Sequence, residues 1–350
     1  MKTRTLVSYE SARLEDLDAN TGVVLPAGWD GEERIYAVPG FLIIGAQRSG
    51  TSALSRWLSV HPNLQTIPLE YNFFSEVVDL ERDWPRYVIN PHFYLRSPAQ
   101  VYATFEKTPD YLDKRNHHGV SAAAQIQRLM PSGRFIVLLR RPTERAYSLY
   151  KMRVRQHATP HQYSRITDPQ LRRIEQWLST GGRVTSRPEG LPSFHEMVTA
   201  MLAELDAPLE RSRFTLEQRR MLTLGHYATH LEEWLRHFPR EQLLVLFYED
   251  FRDRPFDTMD TVLAFLEVPH IDYRTICEKT GSRWELMGIG EPPSKPRFEV
   301  STPPWVRDLQ RPIGPKAAAL LDAYFRPWNE RLAALLPGCE IPWSDASTGE

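Results

Sequence analysis

Gly45 and Gly50 bracket a short loop, Gly45-Ala-Gln47-Arg48-Ser49-Gly50-Thr51-Ser52, whose residue types suit the capture of an anion. Glycine tolerates the unusual φ/ψ values that a tight turn demands. Four apolar residues, Phe41-Leu-Ile-Ile, precede the loop, and Leu54, Trp57 and Leu58 follow it at helical spacing. A strand, a glycine-bounded loop and a helix start together present free backbone N–H groups and a helix dipole to negative charge. The spacing matches the phosphate-binding pattern G-x-x-x-x-G-K-[ST] except that Thr51 stands where lysine belongs. That lysine normally reaches the β/γ-phosphates, so its replacement argues against a nucleoside triphosphate. Arg48 brings positive charge into the loop instead, which suits a ligand with one phosphate and one further anionic group. An ordinary βα turn is the plainer alternative.

Three other places carry charged residues at the expected ends of strands. Glu70 follows a short strand read over 63–68, and its bland alternative is a surface carboxylate beside a turn. Lys107 follows a strand read over 101–106. Arg140 follows the most apolar strand, Arg134–Leu139, and Ser148 lies two turns into the next helix. A guanidinium fork with a nearby hydroxyl is a phosphate clamp. The carboxyl ends of parallel strands are where α/β sheets keep their sites.

The elements that must position these groups alternate strand and helix. Helices are expected over 51–60, 121–130, from Pro142, 255–267 and about 316–336, with a further strand at 242–248. Residues 79–100 read as a winding connection, and Phe214 to Phe238 as one long helix. Helical patterns at 168–179 and 193–205 interrupt an insertion, 151–222, expected to cover the site, with His157, His161, Tyr163 and Trp177 as candidate acceptor contacts or plain surface packing. Residues 1–38 lack strong periodicity and read as a leader without assigned chemistry; residues 341–350 read as a tail. His226 and His230 stand four apart, which is open to a metal reading or to a packed or exposed helix face, and Tyr-Ala-Thr between them leaves out the glutamate of a zincin.

The chain has 350 residues, 41% of them hydrophobic and 25% charged, with a net charge of −1. That is enough for one large α/β domain or two smaller ones, and nothing global points to nucleic acid. The two cysteines, Cys277 and Cys339, have no metal-site spacing and imply no disulfide framework. No apolar run approaches the roughly 18 residues of a membrane span, and the N-terminus lacks the apolar core of a signal peptide. A cytoplasmic protein is expected.

Taken together these segments resemble the sulfotransferases that use 3′-phosphoadenosine 5′-phosphosulfate (PAPS), in the branch of the heparan sulfate sulfotransferases and their bacterial relatives. Phe41 to Ser52 resembles the 5′-phosphosulfate loop of that family, and Ile136 to Ser148 its 3′-phosphate motif. Leu69-Glu70-Tyr-Asn-Phe-Phe is similar to the segment with the catalytic glutamate, and Glu106-Lys107-Thr-Pro-Asp-Tyr to the lysine-bearing strand end. Gly225 to Leu235 and Leu243 to Phe251 also resemble family stretches. The resemblance covers 41–150 and 222–268 well and 320–336 weakly. The family branch usually has lysine where this chain has Arg48, and often histidine where it has Asn72; the insertion 151–222 has no recognised counterpart.

The resemblance implies a P-loop NTPase-like parallel sheet flanked by helices, with a sulfotransferase domain over 39–340. It implies PAPS as donor, 3′-phosphoadenosine 5′-phosphate (PAP) as product and no metal. Gln47, Arg48, Ser49, Gly50, Thr51 and Ser52 would hold the phosphosulfate, and Arg140 and Ser148 the 3′-phosphate. Lys295 and Arg297 would either close over the nucleotide or form a solvated basic loop. Sulfuryl transfer would be an in-line displacement in which Arg48 and Lys107 neutralise the leaving oxygen and Glu70 takes the acceptor's proton. His226, His117 and His118 are reserve proton acceptors. A small molecule, a glycan, a carrier-tethered chain and a peptide tyrosine all remain open as acceptor, as does the oligomeric state. Two rival readings are an ATP-dependent small-molecule kinase, with Glu249-Asp250 on magnesium, and a non-catalytic nucleotide-binding protein.

Overall fold

The structure is a computed structural model that describes residues 4–18, 20–25, 34–66, 69–90, 93–95, 100–158, 193–280 and 311–343. The chain divides into two compact units. The first comprises Met1–Arg140, Tyr227–Pro293 and Glu340–Pro342; the second comprises Arg141–His226, Ser294–Cys339 and Trp343–Glu350.

In the first unit the N-terminal residues form a three-stranded sheet of β1 (Thr5–Ser8), β2 (Thr21–Leu25) and β3 (Arg34–Ala37). It is tied down at several points. The Arg4 guanidinium donates to the carbonyls of Val101 and Tyr102 at 3.0 and 2.9 Å, and the Leu95 N–H donates to the Ile35 carbonyl at 2.9 Å. The segment read as a leader is therefore regular structure, which its weak alternation did not reveal.

The main sheet holds β4 (Phe41–Gly45), β5 (Leu64–Thr66), β6 (Ala103–Lys107), β7 (Arg134–Leu139) and β8 (Leu243–Phe247). Its spatial order is β5-β6-β4-β7-β8 and every pairing is parallel. The apolar runs Phe-Leu-Ile-Ile in β4 and Phe-Ile-Val-Leu-Leu in β7 are buried throughout, as strands covered on both faces must be. Because β4 has β6 on one side and β7 on the other, the order reverses at its carboxyl end, where α/β sheets bind ligands.

The first unit's helices follow in chain order: α1 (Thr51–Ser59), α2 (Phe73–Glu76), α3 (Leu80–Val88) and α4 (Ala122–Leu129). Trp57 of α1 is 2% exposed among Phe251, Phe256 and Tyr273, which anchors the helix below the loop. The helix α3 departs from the winding connection expected over 79–100. Asp79 caps it by accepting from the Arg82 N–H, and Leu80, Trp84, Tyr87 and Val88 bury one face. The internal Pro85 concealed that pattern.

The second unit contains α5 (Pro142–Ala158), α6 (Phe194–Glu204) and α7 (Leu216–Thr223). Capping boxes at Ser193 and Thr215 start the last two. The first unit resumes with α8 (Tyr227–His237), α9 (Tyr248–Asp253), α10 (Pro255–Leu266) and α11 (Tyr273–Thr280). The long α12 (Pro315–Leu335) belongs to the second unit, where Phe325 and Leu321 meet Leu222 and Met221.

One helix expected over 214–238 is two, α7 and α8. The Gly225 and His226 N–H groups bond three residues back, to Leu222 and Thr223, so the helical ladder stops there. A Cβ on Gly225 would lie 2.5 Å from the Phe325 ring, so the close approach requires glycine. Among the described residues no helix is long and apolar enough to cross a membrane.

Candidate active site

The loop after β4 is built by backbone first. The Ala46 N–H donates to the Leu138 carbonyl of β7 at 2.9 Å, and the Ser49 N–H to the Ala46 carbonyl at 3.1 Å. Arg48 has φ 71° and Gly50 φ 93°, so both take left-handed conformations that fold the chain tightly into α1. Such strain in a non-glycine residue clusters at binding sites. Gly50 is the N-cap and its carbonyl accepts from Ala53 and Leu54. Its side chain is hydrogen, so the first helical N–H groups have no capping side chain and stay available to an anion. Ser49 is fully buried, and its Oγ has no hydrogen-bond partner among the described residues. An orphaned hydroxyl in a loop of this shape fits an anionic ligand that would satisfy it. Gln47 is half-buried, Thr51 buried, and Ser52 exposed on the first turn of α1.

Lys107 is the centre of the site. Register pairs it with Ile43 in β4, so it stands at the carboxyl end of β6 beside the loop. Its Nζ donates to Glu70 Oε1 at 2.5 Å and to Ser52 Oγ at 3.3 Å. The Lys107 side chain is 11% exposed and that of Glu70 is 44% exposed. Two of the three residues expected to act in transfer, Glu70 and Lys107, are thus paired, and Ser52 of the loop reaches the same ammonium group.

The Glu70 segment is itself pinned. The Tyr71 N–H donates to Thr108 Oγ1 at 3.1 Å, and the Tyr71 ring stacks on Phe73 and Tyr87. Beyond it opens a cleft of about 580 Å³ lined by Phe73, Arg82, Arg86, Lys114, Arg115 and His117, with only Glu76 and Asp83 as carboxylates. Asp83 pairs with Arg82 at 2.8 Å, and Lys114 pairs with Asp110 at 2.5 Å. Arg115 pairs with Glu233 at 3.3 Å, so three of the four fixed cations that line the cleft are already matched by carboxylates.

On the far side of β4, Arg140 ends β7. Its guanidinium lies 4.6 Å from the centre of the Tyr248 ring, and its carbonyl accepts from the Tyr227 hydroxyl at 2.7 Å. The same ring lies where a Cβ on Gly50 would be, 2.8 Å from Tyr248 Cδ2. One aromatic side chain therefore touches the loop and supports Arg140. Sequence reasoning passed over Tyr248, although an aromatic one residue past the carboxyl end of β8 was a usable signal. It also passed over Glu106, whose neighbour Lys107 drew the attention. Strand alternation turns Glu106 to the opposite face from Lys107, and it is fully buried there.

In the second unit Ser148 lies on α5, 9% exposed. His226, considered as a proton acceptor and as half of a metal pair, stacks on Trp328 at 3.7 Å and hydrogen-bonds the Tyr324 hydroxyl at 2.6 Å. It precedes α8, whereas His230 lies within it, so the two are not one helix face. No cluster of potential metal ligands occurs among the described residues. His117 and His118 are exposed. Asp250, weighed as a magnesium ligand, pairs with Arg254 at 2.5 Å. Lys295 and Arg297, and His161, Tyr163 and Trp177 of the insertion, lie outside the described residues.

Comparison with known proteins identifies the family. The sulfotransferase domain family matches residues 39–283. The human bifunctional heparan sulfate N-deacetylase/N-sulfotransferase 3 is 28% identical over 319 residues, 88% of this chain and 31% of that protein. The mouse bifunctional heparan sulfate N-deacetylase/N-sulfotransferase 1 is 30% identical, over 88% of this chain and 30% of that protein. The chain thus spans less than a third of the length of these relatives. A solved sulfotransferase from Alicyclobacillus acidocaldarius, 22% identical, shares the fold with a TM-score of 0.52, covering 85% of this chain and 96% of that one. On the match over 39–283, with the parallel sheet and the glycine-bounded loop at its switch point, the chain belongs to the sulfotransferase family.

Proposed function

We propose that this chain transfers a sulfuryl group from PAPS to a hydroxyl or amine of an acceptor, and that Glu70, Lys107 and Arg48 carry the step. The observation that carries the reading is the shared ammonium: Lys107 reaches both Ser52 at the loop and Glu70. Positive charge lies between the place for the donor and the place for the acceptor's proton.

PAPS supplies the sulfuryl group; the protein's own residues bind, orient and move one proton. The loop N–H groups and Ser49 Oγ suit the phosphosulfate, which needs no Walker lysine because it carries less charge than a triphosphate. Arg140 is assigned the 3′-phosphate; Ser148 is carried from the sequence resemblance alone. Arg48 and Lys107 offset charge growing on the leaving oxygen, and preorganised cations are worth more there than in water. Glu70 Oε accepts the acceptor's proton as the new bond to sulfur forms, a step worth roughly 10²–10⁴-fold. The Asp250–Arg254 pair and the missing loop lysine both weigh against the kinase alternative.

The cleft beyond Phe73, lined by Arg86 and three paired cations, is assigned to the acceptor side. The relatives are named for heparan sulfate, so an anionic glycan heads the candidates. The insertion 151–222 is proposed, from sequence, to set acceptor choice. Incubation with PAPS labelled in the sulfuryl group and a panel of anionic glycans, neutral glycans and small amines and alcohols tests the reading. Label is expected in an anionic acceptor, and less of it as salt rises. Label only in neutral acceptors removes the anionic glycan from the head of the candidates.

A further inference from the structure

Glu106 has no part in the reaction as described, yet it is a fully buried carboxyl one residue from Lys107. Burial raises its pKa to about 7, and the hydroxyls of Tyr111, Thr108 and Tyr87 act in the opposite direction, as donors to the charged form do. None of them closes a direct hydrogen bond on either carboxylate oxygen among the described residues. Those hydroxyls have a second engagement. Thr108 Oγ1 accepts from the Tyr71 N–H at 3.1 Å, and the Tyr111 hydroxyl oxygen accepts from the Phe74 N–H at 3.4 Å. A hydroxyl whose oxygen accepts keeps its own proton to give, and in a buried place that proton requires an acceptor. Glu106 lies beside both hydroxyls, and its own two buried oxygens are without a hydrogen-bond partner among the described residues, so they are the acceptors at hand.

We propose that Glu106 is a positioning residue: it collects the hydroxyl protons of Thr108 and Tyr111, so that their oxygens hold the backbone N–H groups of Tyr71 and Phe74 and fix Glu70 against Lys107. The polarity of the chain is set at its buried end. A donor in place of the acid turns at least one hydroxyl around, and its oxygen lone pair no longer faces the segment. Tyr87 closes the arrangement, since its ring stacks on Tyr71 and Phe73 while its hydroxyl acts on Glu106. The aromatic stacks hold the segment's side chains; the hydroxyl pair aims its backbone.

The inference rests on Glu70 being the proton acceptor, but its test needs neither donor nor acceptor substrate, so the two fail separately. Residue-resolved amide hydrogen exchange on the full chain is the readout. Above about pH 7, where the Glu106 carboxyl is ionised, the Tyr71 and Phe74 amides of Glu106→Gln are expected to exchange about tenfold faster than those of the wild type, the ordinary contribution of one hydrogen bond, with the β7 and β8 amides unchanged. Glu106→Asp, which keeps the acid but withdraws it by one methylene, accelerates the same two amides and keeps the proposal testable should the glutamine variant not fold. Thr108→Val accelerates Tyr71 alone, and adding Glu106→Gln to it brings no further change at Tyr71, because both act through one hydroxyl. Unchanged exchange at both amides in the folded Glu106 variants, or additive acceleration at Tyr71 in the double variant, overturns the proposal.

Discussion

Glu70 and Lys107 form an ion pair that is half open to water on the carboxylate side, and such a pair contributes little to stability, typically about 0–1 kcal/mol. Its place is better explained by chemistry. Glu70→Gln keeps the shape and removes the proton acceptor. Turnover is expected to fall by at least about 10²-fold, the low end for general-base catalysis, while PAP affinity stays within a few-fold; single-turnover transfer and calorimetry check the two halves. Near-wild-type turnover would move the role to another group. Glu106 shows the opposite balance. Its folded value, about 7, exceeds the ordinary 4.5, so the folded state favours the protonated acid. The stabilisation is complete below about 4.5 and is lost as pH rises through about 7. By linkage the loss is on the order of 3 kcal/mol. Glu106→Gln, neutral throughout, is expected to flatten the fall in the urea midpoint between about pH 5 and 8. An equally steep fall in the variant would assign it to other groups. Both residues stood in plain view in the sequence. Lys107 was legible because it ends a strand; Glu106 was not, because burial is a property of the fold around it.

The loop between β4 and α1 shows how an element shapes the site. Its strand, glycines and helix start were all legible, since an apolar run and a glycine spacing are local patterns. The contact of Tyr248 with Gly50 was not, because it joins residues nearly two hundred apart. Gly50→Ala places a Cβ 2.8 Å from that ring and forces alanine to φ 93°. The left-handed conformation alone costs about 1–2 kcal/mol. Because Tyr248 also supports Arg140, the variant is expected to lose PAP binding more than it loses stability. Paired thermal-shift curves with and without PAP read this; an unchanged PAP shift would uncouple the ring from the site. The same contrast explains α3 and the break at Gly225. Pro85 hid a helix whose cap and apolar face are otherwise regular, and Gly225 marks a break dictated by Phe325 of α12, which no local pattern announces.

At the scale of the whole molecule, the order β5-β6-β4-β7-β8 sets which loops converge. The strands were read in sequence, but their lateral order came from the fold, and it is that order that sets the Lys107 strand beside β4 on one side and the Arg140 strand on the other. The N-terminal sheet was illegible for a different reason: its strands are short, four or five residues, and β1 is largely exposed, so no long apolar run marks them. The insertion 151–222, for which the sequence offered no recognised counterpart, is proposed to choose the acceptor. Substitution of His157 or Tyr163 is expected to change acceptor KM several-fold and leave PAP affinity alone, checked once the labelled-sulfur panel has supplied an acceptor; equal effects on PAP would place the segment with the nucleotide instead.

The central claim is that the loop takes a phosphosulfate nucleotide with a 3′-phosphate. Thermal unfolding with PAP, with adenosine 5′-monophosphate and with ATP–Mg²⁺ tests it most directly. PAP at about 100 times its Kd is expected to stabilise the chain by roughly 2.7 kcal/mol, with a much smaller effect of the other two, and Arg140→Ala should erase the preference for PAP over the monophosphate. A larger stabilisation by ATP–Mg²⁺ than by PAP would contradict the account.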